Sequence, residues 1–186
     1  KLREGKLGTG TTWETRWHVI ETGVPGPTVL IVGGIHGNEP AGFRAADQVR
    51  HWPINRGKLI VIPKLNRLGV EANIRWSPDH RNDREARDLN RNFGTLEQPK
   101  PVVGSLARAG REKLGANSFI LETTFKNQSI SKRARQHRIM VSTALQELGM
   151  LQNSQVDCLM PQSGSARLRG GVFDDGAGSE IDTRGG

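Results

Sequence analysis

At 186 residues, with 34% hydrophobic residues, the chain is long enough for one domain with a real core. No apolar run approaches the roughly 20 residues of a membrane span, and the single Cys158 excludes an internal disulfide and a cysteine-built zinc cage. The net charge of +8 comes from scattered Lys and Arg, densest at 81–91 and 126–138, with no Tyr to stack bases, so local anion binding is expected rather than a nucleic-acid surface. Neither nucleic acid nor membrane is expected as a partner, and the cytoplasm is the favoured compartment.

In chain order, residues 1–12 are Gly- and Thr-rich and read as extended or loose. Trp17-His18-Val19-Ile20 reads as a strand, and the Gly/Pro cluster at 23–27 as a turn. Thr28–Val32 is a continuous apolar run, which predicts a central buried strand. Glu39–Trp52 reads as a helix: Pro40 suits its first turn, Ala41, Ala45, Ala46 and Val49 form an apolar stripe, and Pro53 stops it. Lys58–Ile62 is a second strand, so 28–63 reads as a βαβ unit with a parallel pair.

The polar, Arg-rich stretch 66–88 reads as a long functional loop. Val102–Leu114 predicts a helix with Leu106, Ala109 and Leu114 as its apolar positions, and Gly115 ends it. Ser118–Leu121 predicts a short buried strand ending at Glu122. Ser131–Leu151 predicts a long amphipathic helix carrying Ile139, Met140, Ala144, Leu145 and Leu148. Residues 152–186 are rich in Gly, Ser and Asp and read as a C-terminal extension to a domain over 1–151.

Two clusters carry chemistry. The first is Gly33-Gly34-Ile35-His36-Gly37-Asn38-Glu39-Pro40, directly after the first apolar strand. Imidazole and carboxylate are ordinary zinc ligands, and His36 and Glu39 are close enough along the chain to reach one ion from a single turn. The location, at the carboxyl end of a sheet strand, is where open α/β sheets bind ligands. The second cluster is Asp88-Leu89-Asn90-Arg91-Asn92-Phe93. Its amide and planar guanidinium suit a carboxylate or a developing oxyanion. Asp88 is of the type that accepts a hydrogen bond from a ligating imidazole and fixes its tautomer.

Together the two motifs resemble the M14-type zinc carboxypeptidase superfamily, and within it the succinylglutamate desuccinylase/aspartoacylase branch, over roughly residues 14–151. The order strand–GGxHGxEP–helix–strand–loop–DLNRxF runs from Thr28 to Phe93. Ser118–Thr124 is similar to the branch's later strand, and the helix bearing Arg135-Gln136-His137 to its C-terminal helix. The resemblance implies an α/β/α sandwich with a mixed, largely parallel, zinc-peptidase-like sheet. It implies Zn2+ held by His36 and Glu39, and substrate carboxylate bound by Asn90 and Arg91. It implies that Arg84 polarises the scissile carbonyl, and that Glu122 takes a proton from the attacking water and gives it to the leaving amine. The implied activity is zinc-dependent amide hydrolysis, acting on an N-acyl amino acid or on a peptide C-terminus. The branch also supplies a third ligand, a His between the Asn-Arg motif and the catalytic Glu. Between Phe93 and Glu122 this chain has no His, and a segment near 94–101 is missing relative to the family. Of the other histidines, His80 is the best-placed substitute. Without one, the alternative is a non-catalytic relative that binds a carboxylate ligand or peptide.

Overall fold

A computed structural model describes residues 1–80, 82, 87–93, 105–124 and 127–159, except the side chains of residues 80, 157 and 158. Four strands form one sheet in the order β1 (Leu2–Leu7), β2 (Thr15–Glu21), β4 (Lys58–Ile62), β3 (Thr28–Val32). β3 and β4 are parallel, Val29 opposite Leu59 and Ile31 opposite Val61, with α1 (Pro40–Val49) between them in the chain. β4 to β2 and β2 to β1 are antiparallel. The fold is α/β with a mixed sheet. Among the described strands, the largely parallel character expected from sequence narrows to the β3–β4 pair, because β1 and β2 join through a short connection that can only reverse direction.

The helical layer is α1 with α4 (Ile130–Glu147) beside it. Three alanines, Ala41, Ala45 and Ala134, form a buried small-residue seam that lets the helices approach closely. Below the seam, Ala46, Val49, Leu59, Val61, Val141, Leu145 and Met150 make the main core. α4 ends in a Schellman motif: Gly149 takes φ +65°, and Met150 N–H donates to Leu145 O at 2.8 Å. That turn drives Met150 into the core against Leu145, each such side chain contributing roughly 1.5–3 kcal/mol. α5 (Asn153–Leu159), beyond the expected domain end at 151, packs Val156 and Leu159 on the same cluster. No helix of the described residues is long and apolar enough to cross a membrane.

Several elements differ from their sequence reading. Residues 2–7 are not loose but form β1, whose ladder to β2 needs no apolar pattern of its own. β3, expected at the centre, is the edge of the described sheet, and Leu30 is 50% exposed on the face away from α1. The 66–88 loop contains α2 (Arg67–Glu71) and a 3₁₀ turn at Pro78–His80. Ser118–Leu121 is irregular: Phe119 and Ile120 are 66% and 57% exposed, and only Leu121 turns toward the core. A strand needs a partner ladder, and no described strand offers one there. α3 (Leu106–Leu114), capped by Ser105 and closed by Gly115, buries none of its residues, Leu114 included.

His18 is buried in β2 opposite Glu4, its Nδ1 3.4 Å from Glu4 Oε2, in ion-pair reach but without hydrogen-bond geometry. Burial holds its pKa below the ordinary value, and Arg50 adds to this while Glu4 opposes it. A lowered folded-state pKa means that the unfolded chain binds the proton first. Stability from this group is full above about pH 6.5, the ordinary histidine value, and is lost as pH falls through the folded value. In His18→Gln, urea denaturation should give a flatter stability profile between about pH 7.5 and 5 than in the parent. An unchanged slope would remove His18 as its source.

Candidate active site

β3 ends at Val32, and the chain turns through Gly33 and Gly34, the latter at φ +62°, into the loop that carries His36. Glu39 stands at the N-cap position of α1 without capping it, so Pro40 opens the helix and the Glu39 carboxylate stays free for the site. The positive end of the helix dipole also favours a carboxylate there.

His36 is buried and is held at both ring nitrogens. Nδ1 lies 3.0 Å from Glu39 Oε1, and Nε2 lies 3.0 Å from Asp88 Oδ1. Asp88 is buried too and starts the 3₁₀ turn Leu89–Arg91, its Oδ1 also accepting Asn90 N–H at 3.0 Å. Burial alone would lower the His36 pKa, but the hydrogen bonds to Glu39 and Asp88 outweigh it and raise the pKa. The same bond to His36 holds Glu39 below the usual carboxylate range against the effect of its burial. A carboxylate oxygen thus faces each ring nitrogen of His36, an arrangement that favours its protonated form.

Arg75 completes the cluster. Its Nη1 donates to Glu39 Oε1 at 2.9 Å, and its Nη2 lies 3.8 Å from Asp88 Oδ2. The guanidinium sits 5.6 Å from the centre of the Trp76 ring, and Arg87 sits 4.3 Å from the same ring. Arg84, the arginine expected to polarise the scissile carbonyl, lies outside the described residues, and Arg75 was not among the expected site residues. The available signal was an arginine just before Trp76 in the loop between the two motifs.

The loop is fixed by Asn66, which is buried at 2% exposure. Its Nδ2 donates to Ile35 O at 3.3 Å, its Oδ1 accepts Gly69 N–H at 3.0 Å, and its backbone N–H donates to Gly34 O at 2.8 Å. α2 is thereby pressed onto the His36 loop, and a Cβ on Gly37 would fall 2.0 Å from the Gly69 carbonyl carbon. Gly37→Ala must force the two backbones apart, with a predicted loss of about 3 kcal/mol by chemical denaturation. A loss under about 0.5 kcal/mol would mean that the contact yields freely.

The remaining expected residues divide. Asn90 spends its side-chain oxygen on Leu106 N–H at 3.1 Å, tying the turn to the start of α3, while Arg91 is exposed and bonds Asn90 O at 3.0 Å. Glu122 is exposed and enters the neighbourhood through His137: burial foremost, then Arg133, lowers the His137 pKa, while the charges of Glu122 and Glu39 oppose this. The His80 side chain lies outside the described residues. His36 Nδ1 and Glu39 Oε1 fit two positions of a zinc site, with Asp88 orienting the ring from behind. Among the described residues, no three His, Cys, Asp or Glu side chains converge as a full ligand set would.

A histidine–carboxylate pair at the end of a parallel strand, oriented by a carboxylate from a later loop, makes this an α/β protein with a candidate site at a strand end. The chain belongs to the succinylglutamate desuccinylase/aspartoacylase family, whose catalytic-domain model matches residues 25–131. Among solved structures it is similar to a succinylglutamate desuccinylase/aspartoacylase from Rhodobacter sphaeroides, at 28% identity over 50% of this chain and 30% of that one, TM-score 0.40. It is also similar to the product-bound ectoine utilization protein EutE (DoeB) from Ruegeria pomeroyi, at 24% identity over 61% and 36%, TM-score 0.44. An aspartoacylase family protein from Mesorhizobium loti is 22% identical over 79% and 37%, TM-score 0.42. The chain thus spans about a third of the length of these structures. No curated protein matches it.

Proposed function

We propose that the chain carries the metal-holding and proton-transfer residues of a zinc-dependent amide hydrolase that deacylates N-acyl amino acids. The observation that carries this reading is the bridged imidazole, with Asp88 on Nε2 and Nδ1 turned to Glu39. This is how a ligating histidine is commonly oriented, one nitrogen anchored by a carboxylate and the other facing a second donor. His36 and Glu39 would hold the ion, which when bound supplies a Lewis acid and brings the pKa of water toward ~7. Arg75, already in contact with both site carboxylates, supplies positive charge for the developing oxyanion in place of Arg84. Arg91, exposed beside the site, binds the substrate's carboxylate. Glu122 carries the proton from the attacking water to the leaving amine. A peptide C-terminus offers the same carboxylate to Arg91, so peptides belong in the substrate screen.

One observation favours a second reading. The described residues hold two converging donors rather than three, which suits a relative that binds a carboxylate ligand without turnover. Zinc uptake separates the two. By calorimetry and elemental analysis, the parent chain should take up one zinc and His36→Ala none. Asp88→Asn should bind roughly 10–100-fold more weakly. Because His36 must give up a proton, affinity should fall as pH drops through its raised pKa. A parent chain without zinc affinity supports the non-catalytic reading.

The proton carrier is tested separately. Glu122→Gln should lower hydrolysis of N-acyl amino acids by roughly 10²–10⁴-fold while leaving zinc uptake intact. Hydrolysis at the parental rate would take Glu122 out of the chemistry.

A further inference from the structure

The segment that carries Glu122 has little of its own to hold it. Among the described residues, no backbone–backbone hydrogen bond involves 117–124, and Phe119 and Ile120 face solvent. Side chains tether it on either side of Glu122: Leu121 packs against the main core, Thr124 Oγ1 accepts from Gln128 Nε2 at 2.9 Å, and Thr123 reaches α4. Thr123 Oγ1 lies 3.4 Å from Arg133 Nε and 3.3 Å from His137 Nε2. Arg133 and His137 are four residues apart on α4 and so project from one face of the helix.

The directions of these bonds are mutually consistent. The Arg133 guanidinium can only donate, so the threonine oxygen accepts from it. Burial lowers the His137 pKa and so favours the neutral ring, whose Nε2 accepts the threonine proton when Nδ1 carries the hydrogen. Arg133 is buried, which limits its freedom to move. The adjoining face of α4 packs on α1 through Ala134 against Ala41 and Ala45, and α1 starts immediately after Glu39. A short path of packed helices and hydrogen bonds therefore joins the two halves of the site: Glu39, α1, α4, Arg133 with His137, Thr123, Glu122.

We propose that Thr123, gripped by Arg133 and His137 of α4, is a positioning residue that sets the Glu122 carboxylate against the His36–Glu39 pair. Neither helix residue is assigned a metal, since His137 spends Nε2 on Thr123 and no third donor converges with it among the described residues. The inference rests on the reading of Glu122 as proton carrier, and its test is built so that the two fail separately.

The full chain is compared with Thr123→Val, which keeps the shape and deletes the hydroxyl, and Thr123→Ser, which restores it. The first readout needs no activity: the His137 imidazole is titrated by NMR with and without Glu122→Gln. In the parent and in Thr123→Ser, removing the Glu122 charge should lower the His137 pKa. In Thr123→Val the response should be largely lost, because Glu122 is no longer held nearby. An equal response in all three overturns the proposal. The second readout is turnover of an N-acyl amino acid. Thr123→Val should lose roughly tenfold in kcat, the equivalent of one hydrogen bond, with KM within about twofold and with Thr123→Ser near parental. Parental kcat in Thr123→Val overturns the proposal. If the parent chain itself hydrolyses nothing, the functional reading fails, and the NMR titration still decides whether Thr123 holds Glu122.

Discussion

One imidazole determines how this chain must be arranged. His36 is held at both nitrogens by carboxylates, one from three residues away and the other from fifty-two. A buried imidazole needs partners at its ring nitrogens. Asp88 supplies the one at Nε2 from the far end of the loop that begins at Asn66. Glu39 is withheld from capping α1, and Pro40 at the first helical position opens the helix with its φ already set and one fewer N–H left unpaired. Arg75 balances the two carboxylates with a positive charge placed alongside Trp76.

Stability is distributed to match. The His36 loop and α2 meet backbone to backbone at Gly37 and Gly69, and the fully engaged amide of Asn66 locks them together. α1, α4 and the Schellman turn at Gly149 form the densest packing, directly behind that loop. Away from it the structure thins: α3 buries nothing, and the Glu122 segment is held by side chains rather than by a backbone ladder.

How much of this was legible in the sequence follows from how local each signal was. The strand–His36–Glu39–helix unit could be read because every determinant lies within twenty residues: an apolar run, paired glycines, a proline at the first helical turn and an alanine stripe. Asp88 as partner of His36 could be read only as a type of residue, and its contact is a property of the fold. β1 could be read only as extended or loose, because it carries no alternating pattern and its pairing exists through its ladder to β2. Thr28–Val32 and Ser118–Leu121 have equally strand-like compositions. Whether such a run is central, at an edge or unpaired depends on neighbours that composition does not name. Arg75 was hidden among many arginines. His137 looked like one polar position on an amphipathic helix, and only the packing of α4 on α1 turns it toward Thr123.

The outer edge of β3 has a consequence for how this chain behaves among its own copies. Thr28–Val32 contains no charge and no proline, and its far-side amides and carbonyls meet no described strand. Water satisfies those groups, but any extended backbone satisfies them equally well and adds apolar contact with the half-exposed Leu30. Proteins that keep such an edge solitary usually guard it with a lysine, a bulge or a twist, and β3 has no lysine. A net charge of +8 repels copies at a distance, and salt that screens it lets the uncharged edge of the described sheet meet a second copy. Protein concentration and ionic strength therefore act together on self-association at this edge.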